Sequence, residues 1–159
     1  MSTTPFELVV AEHGSTVLRV CRAVLGPVDA EDAWSETFLA ALRAYPRLRP
    51  NSNVEAWLVT IAHRKALDHV RASSRRPILT DTLPELAADE DRHASESGLW
   101  EALEALSLKQ RQTIAYHYLA GMPYVQVARI VGGTEAAARR AAADGIAALR
   151  KTLPKGAFR

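Results

Sequence analysis

Between Pro77 and Ser97 the chain shows little hydrophobic periodicity, and that gap constrains the fold more than any other feature. The stretch carries Asp81, Glu85, Asp89, Glu90, Asp91 and Glu96, relieved by Arg92, and it contains Pro84. A segment of that length and polarity inside one compact domain would be unusual, so it reads as a flexible acidic linker. The 159 residues therefore divide into two small units, 1–76 and 98–159, around a linker at 77–97.

Both units read as all-α. Ala and Leu are abundant and β-branched runs are scarce. In the first unit, Phe6, Val9, Val10, His13, Val17 and Val20 recur at helical spacing, predicting a helix over Pro5–Leu25 closed by Gly26-Pro27. A second helix opens with Asp29 as N-cap and acids in its first turn. It buries Ala30, Ala33, Trp34, Thr37, Phe38 and Ala41, shows Asp32, Glu36 and Arg43 to the other side, and stops at Tyr45-Pro46. A third, Val54–Ser73, follows the polar loop Arg49–Asn53. In the second unit the pattern predicts helices over Gly98–Leu106, Leu108–Ala120, Tyr124–Val131 and Glu135–Leu153.

Charge sorts along the chain although the net is only +2. Basic residues crowd the end of the first unit and return in the last third, flanking the acidic stretch. That pattern fits two surfaces able to meet a polyanion, and it equally fits soluble helix faces. With Cys21 as the single cysteine and five histidines without ligand spacing, no metal site is expected. No nucleophile–base pair or phosphate loop points to catalysis, and no cofactor is implied. Neither a signal-peptide pattern nor an apolar run of membrane length is visible, so a cytoplasmic protein without membrane insertion is the expectation.

The last two helices form a helix-turn-helix pattern. Pro123 stands at a helix start, Gly132-Gly133 supplies the turn, and Thr134 can cap the helix that follows. In that geometry the second helix enters the major groove and its N-terminal residues reach the bases. Thr134, Glu135, Arg139 and Arg140 occupy that end, the arginines being able to fork onto guanine or to clamp phosphate.

Three segments, in order, resemble the extracytoplasmic-function (ECF) sigma factors of the sigma-70 family. The run Asp29-Ala30-Glu31-Asp32-Ala33-Trp34-Ser35-Glu36-Thr37-Phe38 looks like the helix that binds core RNA polymerase. The run from Ala56-Trp57-Leu58 through Ala66-Leu67-Asp68-His69-Val70-Arg71 looks like the helix that recognises and melts the minus-ten element. The tail from Leu106 to Arg111 through the helix-turn-helix resembles region 4, which reads the minus-thirty-five element. The resemblance implies promoter DNA, duplex and melted, and core polymerase as partners, with an anti-sigma factor as a further one. It implies polymerase contacts at Asp29, Asp32, Ser35, Glu36 and Phe38. It implies minus-ten contacts at Asn51, Ser52, Asn53, Trp57, Arg64, Lys65, Asp68, Arg71, Arg75 and Arg76, and minus-thirty-five contacts at Thr134, Glu135, Arg139 and Arg140.

The residues themselves leave alternatives beside several of these roles. Asn51-Ser52-Asn53 serves equally as a polar connection capping a helix. Trp57 shares a phase with Leu58 and Ile61, which places it in the core, and Asp68 is spaced to hold Arg64 and Arg71.

The chain departs from the family pattern at Ser35, where Gln is usual, and in the recognition helix. There Ala142 replaces a large apolar residue, Asp144 replaces a base, and Gly145 costs up to about 1 kcal/mol of helix propensity. Weak minus-thirty-five reading is the expectation. Two alternatives follow: a sigma-like protein that docks on polymerase without reading DNA well, or a stand-alone helix-turn-helix regulator.

Overall fold

The computed structural model describes residues 4–75 and 94–153. Its elements are α1 (Phe6–Leu25), α2 (Ala30–Ala44) with a 3₁₀ turn at Tyr45–Arg47, α3 (Val54–Arg75), α4 (Ala94–Glu104), α5 (Leu108–Ile114) with a π-helical turn at Ala115–Leu119, α6 (Tyr124–Val131) and α7 (Glu135–Thr152). Among the described residues there is no strand.

The helices α1, α2 and α3 pack mutually around Val9, Val17, Cys21, Ala30, Ala33, Phe38, Ala41, Leu58, Ile61 and Ala62. Small residues at Ala30, Ala33 and Ala41 let α2 approach its neighbours closely. Trp34 lies against α1 and donates its indole N–H to the Gly14 carbonyl at 2.8 Å. Burial pushes the Cys21 thiol up to about 12, so the chain's single cysteine is a neutral core group. Asp29 stands at the N-terminal boundary of α2, but its side chain makes no capping hydrogen bond and its backbone is already helical. The expected N-cap role is therefore not filled; the acids Glu31 and Asp32 in the first turn still favour the helix electrostatically. Asn53 caps α3 instead, its Oδ1 accepting the Ala56 N–H at 3.0 Å.

In the second half, α5 and α6 pack on α7. Ser107 and Gln110 form a reciprocal capping box at the start of α5. The expected single helix over Leu108–Ala120 turns π-helical at Ala115, where the Ala120 N–H reaches the Ala115 carbonyl at 3.2 Å. The extra residue rotates the side chains that follow, a feature frequent near functional sites. Thr134 caps α7 by accepting the Ala137 N–H at 3.0 Å, as expected. The turn Gly132-Gly133 has φ of +91° and +96°, which only glycine adopts without strain.

The two halves share a core. Val20, Ala23 and Val24 of α1 join Leu103, Leu106, Ala115 and Tyr116 of the second half in one apolar cluster. Arg111 donates to the Val24 carbonyl at 3.0 Å and to the Leu106 carbonyl at 2.8 Å, with its guanidinium 5.6 Å from the Trp100 ring. Gly26, at φ +88°, ends α1 beneath Trp100, so closely that a Cβ there would sit 2.5 Å from the indole. His63 of α3 meets the buried Tyr116 hydroxyl at 2.8 Å. Helix α4 begins at Ala94, so the segment expected as linker over 77–97 is helical in its last four residues. Its acidic part up to residue 93 lies outside the described residues.

Candidate nucleic-acid interface

A groove of about 590 Å³ opens between the C-terminal half of α2 and α3. Its floor is Ala40, Ala44, Ile61 and Trp57, and its rim is Arg64, Lys65, Asp68 and Arg71. The spacing of the rim residues over two helical turns puts them on one side of α3, and the small alanines of α2 leave the hollow open. Asp68 pairs with Arg71 at 3.8 Å, both side chains 62% exposed. Among the described residues no ion pair joins Asp68 to Arg64, so only one of its two expected partners is held. Trp57 is half-buried, 6.2 Å from the Tyr45 ring, with part of its surface in the groove. It thus packs on the core edge and still offers an aromatic surface to the hollow.

The loop at the start of α3 is less committed. Asn51 is exposed, Ser52 closes a turn on the Arg49 carbonyl at 3.1 Å, and Asn53 is occupied as the α3 cap. Arg75 ends α3 with its side chain outside the described residues, and Arg76 lies outside them altogether.

On the outer face of α2, Asp32, Ser35 and Glu36 are exposed. Glu36 accepts from or pairs with His69 Nε2 at 3.0 Å, which ties this face to α3. Phe38 does not belong to it: the ring is 6% exposed and packs 4.7 Å from Trp34. Its helical phase points inward with Thr37 and Ala41, so its expected contact with a partner is corrected to a core role. The exposed apolar side chains on the outer side of α2 are Leu39 and Leu42, 54% and 51% exposed. Counting the i+7 positions from Asp32 and Ser35 finds them, because both fall outside the buried stripe.

A second hollow, of about 370 Å³, lies between α3 and α6 and is lined by Thr60, His63, Arg64, Gln126, Arg129 and Ile130. Burial, with help from Arg64, holds the His63 imidazole below its usual range. The neutral His63 ring shares a hydrogen bond with the Tyr116 hydroxyl, whose phenol burial pushes well upward so that it keeps its proton. Sequence reading missed this pair because its members are remote along the chain.

At the N-terminal end of α7, Glu135, Ala136, Arg139, Arg140 and Ala143 line a shallow outward hollow. Thr134 is spent on capping and Glu135 pairs with Arg139 at 3.7 Å. The departures in α7 acquire a packing reason here. Ala138 and Ala142 are buried and Gly145 approaches Ile114 so closely that a Cβ would lie 2.6 Å from its Cδ1. The small residues let α7 sit tight on α5, while Asp144 stays exposed on the outer side.

Residues 9–76 match the family described as Sigma-70 region 2, and residues 97–149 match Sigma-70, region 4. CarQ of Myxococcus xanthus, an RNA polymerase sigma factor, is 31% identical over 93% of this chain and 88% of its own length. The chain belongs to the sigma-70 family, in its ECF group. The ECF RNA polymerase sigma factor SigC of Mycobacterium tuberculosis is 34% identical to this sigma factor over 65% of the chain. That match spans 58% of SigC's length. The fold resembles that of the sigma factor RpoE of Bartonella quintana, solved with the anti-sigma factor NepR, at TM-score 0.75 and 19% identity, covering 95% of this chain and 98% of that one. The α2–α3 groove falls within region 2 of this sigma factor, and its helix-turn-helix within region 4.

Proposed function

We propose that this sigma factor binds core RNA polymerase through α2 and directs it to promoters, as an initiation factor and not a catalyst. The observation that carries the reading is the α2–α3 groove, where Arg64, Lys65 and Arg71 surround an apolar floor ending in Trp57. A melted DNA strand needs phosphate neutralisation and a surface for unpaired bases, and this groove offers both. Asp68 steadies Arg71, and the exposed Asn51 adds a polar group near the head of α3. Arg75 and Arg76 continue the basic series in the sequence. The outer face of α2, acidic at Asp32 and Glu36 and apolar at Leu39 and Leu42, suits a helical partner with basic and apolar residues. Region 4 reads the minus-thirty-five duplex through the N-terminal end of α7. The RpoE relative's complex with an anti-sigma factor supports a partner of that kind here. No helix among the described residues is long and apolar enough to cross a membrane.

The test is transcription in vitro with core polymerase over a promoter library. The triple variant Arg64→Ala, Lys65→Ala, Arg71→Ala should lose open complexes, and each lost strand contact should flatten the log–log salt slope by about 0.7. Unchanged open-complex formation and slope in that variant would reduce the groove to a solvated face. Reversing Asp32 and Glu36 to Lys should abolish co-purification with core polymerase.

A further inference from the structure

Arg139 and Arg140 are neighbours that the sequence does not distinguish, yet their surroundings differ. The Tyr124 ring, at the start of α6, stacks on His117 with centroids 3.8 Å apart and planes 15° from parallel. The Arg139 guanidinium lies over the same ring at 4.8 Å. With the imidazole stacked against one face, the opposite face is the one open to the guanidinium, so the three groups form one stack-like array. His117 is itself anchored, its Nδ1 donating to the Met122 carbonyl at 2.7 Å. The π turn carries His117, α6 carries Tyr124 and α7 carries Arg139, so the stack joins all three elements. From the flank Glu135 reaches Arg139 at 3.7 Å, yet the Arg139 side chain remains 62% exposed. Burial and the neighbouring Tyr118 hydroxyl push the Tyr124 phenol upward, so the ring is neutral and holds the cation through its π face. Arg140 is exposed, and among the described residues it has neither an ion-pair partner nor an aromatic one.

We propose that Tyr124, backed by His117, is a positioning residue that fixes the plane of Arg139 so that Arg139 reads a guanine edge, leaving Arg140 to contact phosphate. The proposal rests on the reading that α7 faces promoter duplex. A bidentate contact to guanine O6 and N7 requires the guanidinium to lie near the base plane, whereas a phosphate accepts a cation from many directions. A stacked guanidinium has its plane set in advance and keeps N–H edges free for the base. An unstacked one on a mobile side chain serves as a point charge. One ring, itself backed by a second, and a carboxylate beside a solvent-facing arginine therefore assign it the directional task.

The experiment uses holoenzyme reconstituted from core polymerase and the full chain, on promoters randomised across the minus-thirty-five element. Base preference at each position and the salt slope are read for Arg139→Ala, Arg140→Ala, Tyr124→Phe and Tyr124→Leu, with helicity and melting checked for each. Arg139→Ala should erase a guanine preference at one position. Tyr124→Leu should weaken that same preference by roughly 2- to 5-fold, the range of an exposed cation–π contact, and Tyr124→Phe should retain it. Arg140→Ala should lower output on all sequences alike and flatten the salt slope by about one unit. If Tyr124→Leu does not fold, His117→Asn removes the ring beneath Tyr124 while leaving a donor for Met122, and it should weaken the same preference. Loss of preference in Arg139→Ala with full preference in Tyr124→Leu would overturn the positioning role and leave region 4 as the duplex reader. A uniform drop in Tyr124→Leu with its preference intact would likewise overturn it, by reducing the stack to a support of the fold. Intact preference in Arg139→Ala would overturn the base contact itself.

Discussion

Replacing Gly145 by alanine sets two effects against each other. In an isolated helix the change would gain up to about 1 kcal/mol, because glycine costs that much in a helix interior. In this protein the new Cβ would stand 2.6 Å from Ile114 Cδ1, 3.4 Å from Gln110 Cβ and 3.6 Å from Ile114 Cγ1. Ordinary contact would require that Cδ1 to retreat by about 1 Å into a packed core, and such overpacking costs about 1–3 kcal/mol. The expected net is a loss of about 1 kcal/mol. Ile114→Val removes the colliding methyl and alone costs about 0.5–1.5 kcal/mol. In that background Gly145→Ala should become stabilising, since the remaining Cγ carbon lies at ordinary contact distance. The double variant should therefore be more stable than the sum of the singles by about 1 kcal/mol or more. Urea unfolding followed by far-UV circular dichroism for the four proteins measures the coupling. Additive effects would show that Ile114 is not what demands glycine here, and the close-packing account of the α5–α7 contact would fall.

Gly26→Ala should destabilise the chain by at least ~2 kcal/mol, from positive φ plus collision with Trp100, whereas Gly132→Ala, with open space around it, should cost only about 1–2 kcal/mol. Equal thermal shifts for the two would remove the packing argument. The His63 imidazole is depressed in the folded state by burial and by Arg64, so below about pH 6.5 the unfolded chain takes up a proton that the native one does not. Stability is then fully present above that pH and is lost as pH falls toward the folded value; His63→Gln should show a shallower decline between pH 7 and pH 5 in urea titrations. Asp144→Arg should strengthen holoenzyme binding to minus-thirty-five duplex and steepen its salt slope by about 0.9, measured by titration at several salt concentrations. No gain would mean that the outer side of α7 does not lie on DNA.

What the sequence determined by itself is local. Period, Gly-Pro and Tyr-Pro stops, the Gly132-Gly133 turn and the Thr134 cap are short-range signals, and they placed the helices within a few residues; Tyr124–Val131 needed no adjustment. The order of the motifs pointed to the family, and the spacing of Arg64, Asp68 and Arg71 along one helix already put them on a single face. Tertiary structure decided everything that depends on which remote surfaces meet. Helical period already put Phe38 on the buried stripe of α2; what only the packed structure decided is that α1 covers its ring and leaves no part of it for a partner, with Leu39 and Leu42 exposed on the outer side. Gly145 looked like a defect in α7 until Ile114 appeared against it, since helix propensity counts neighbours within four residues and close packing does not. His63 and Tyr116 are 53 residues apart in the chain and 2.8 Å apart in space, and the stack of His117, Tyr124 and Arg139 draws on three elements. No local pattern encodes such pairs, because the energy that selects them is burial and shape shared between helices, and it exists only once the helices have docked.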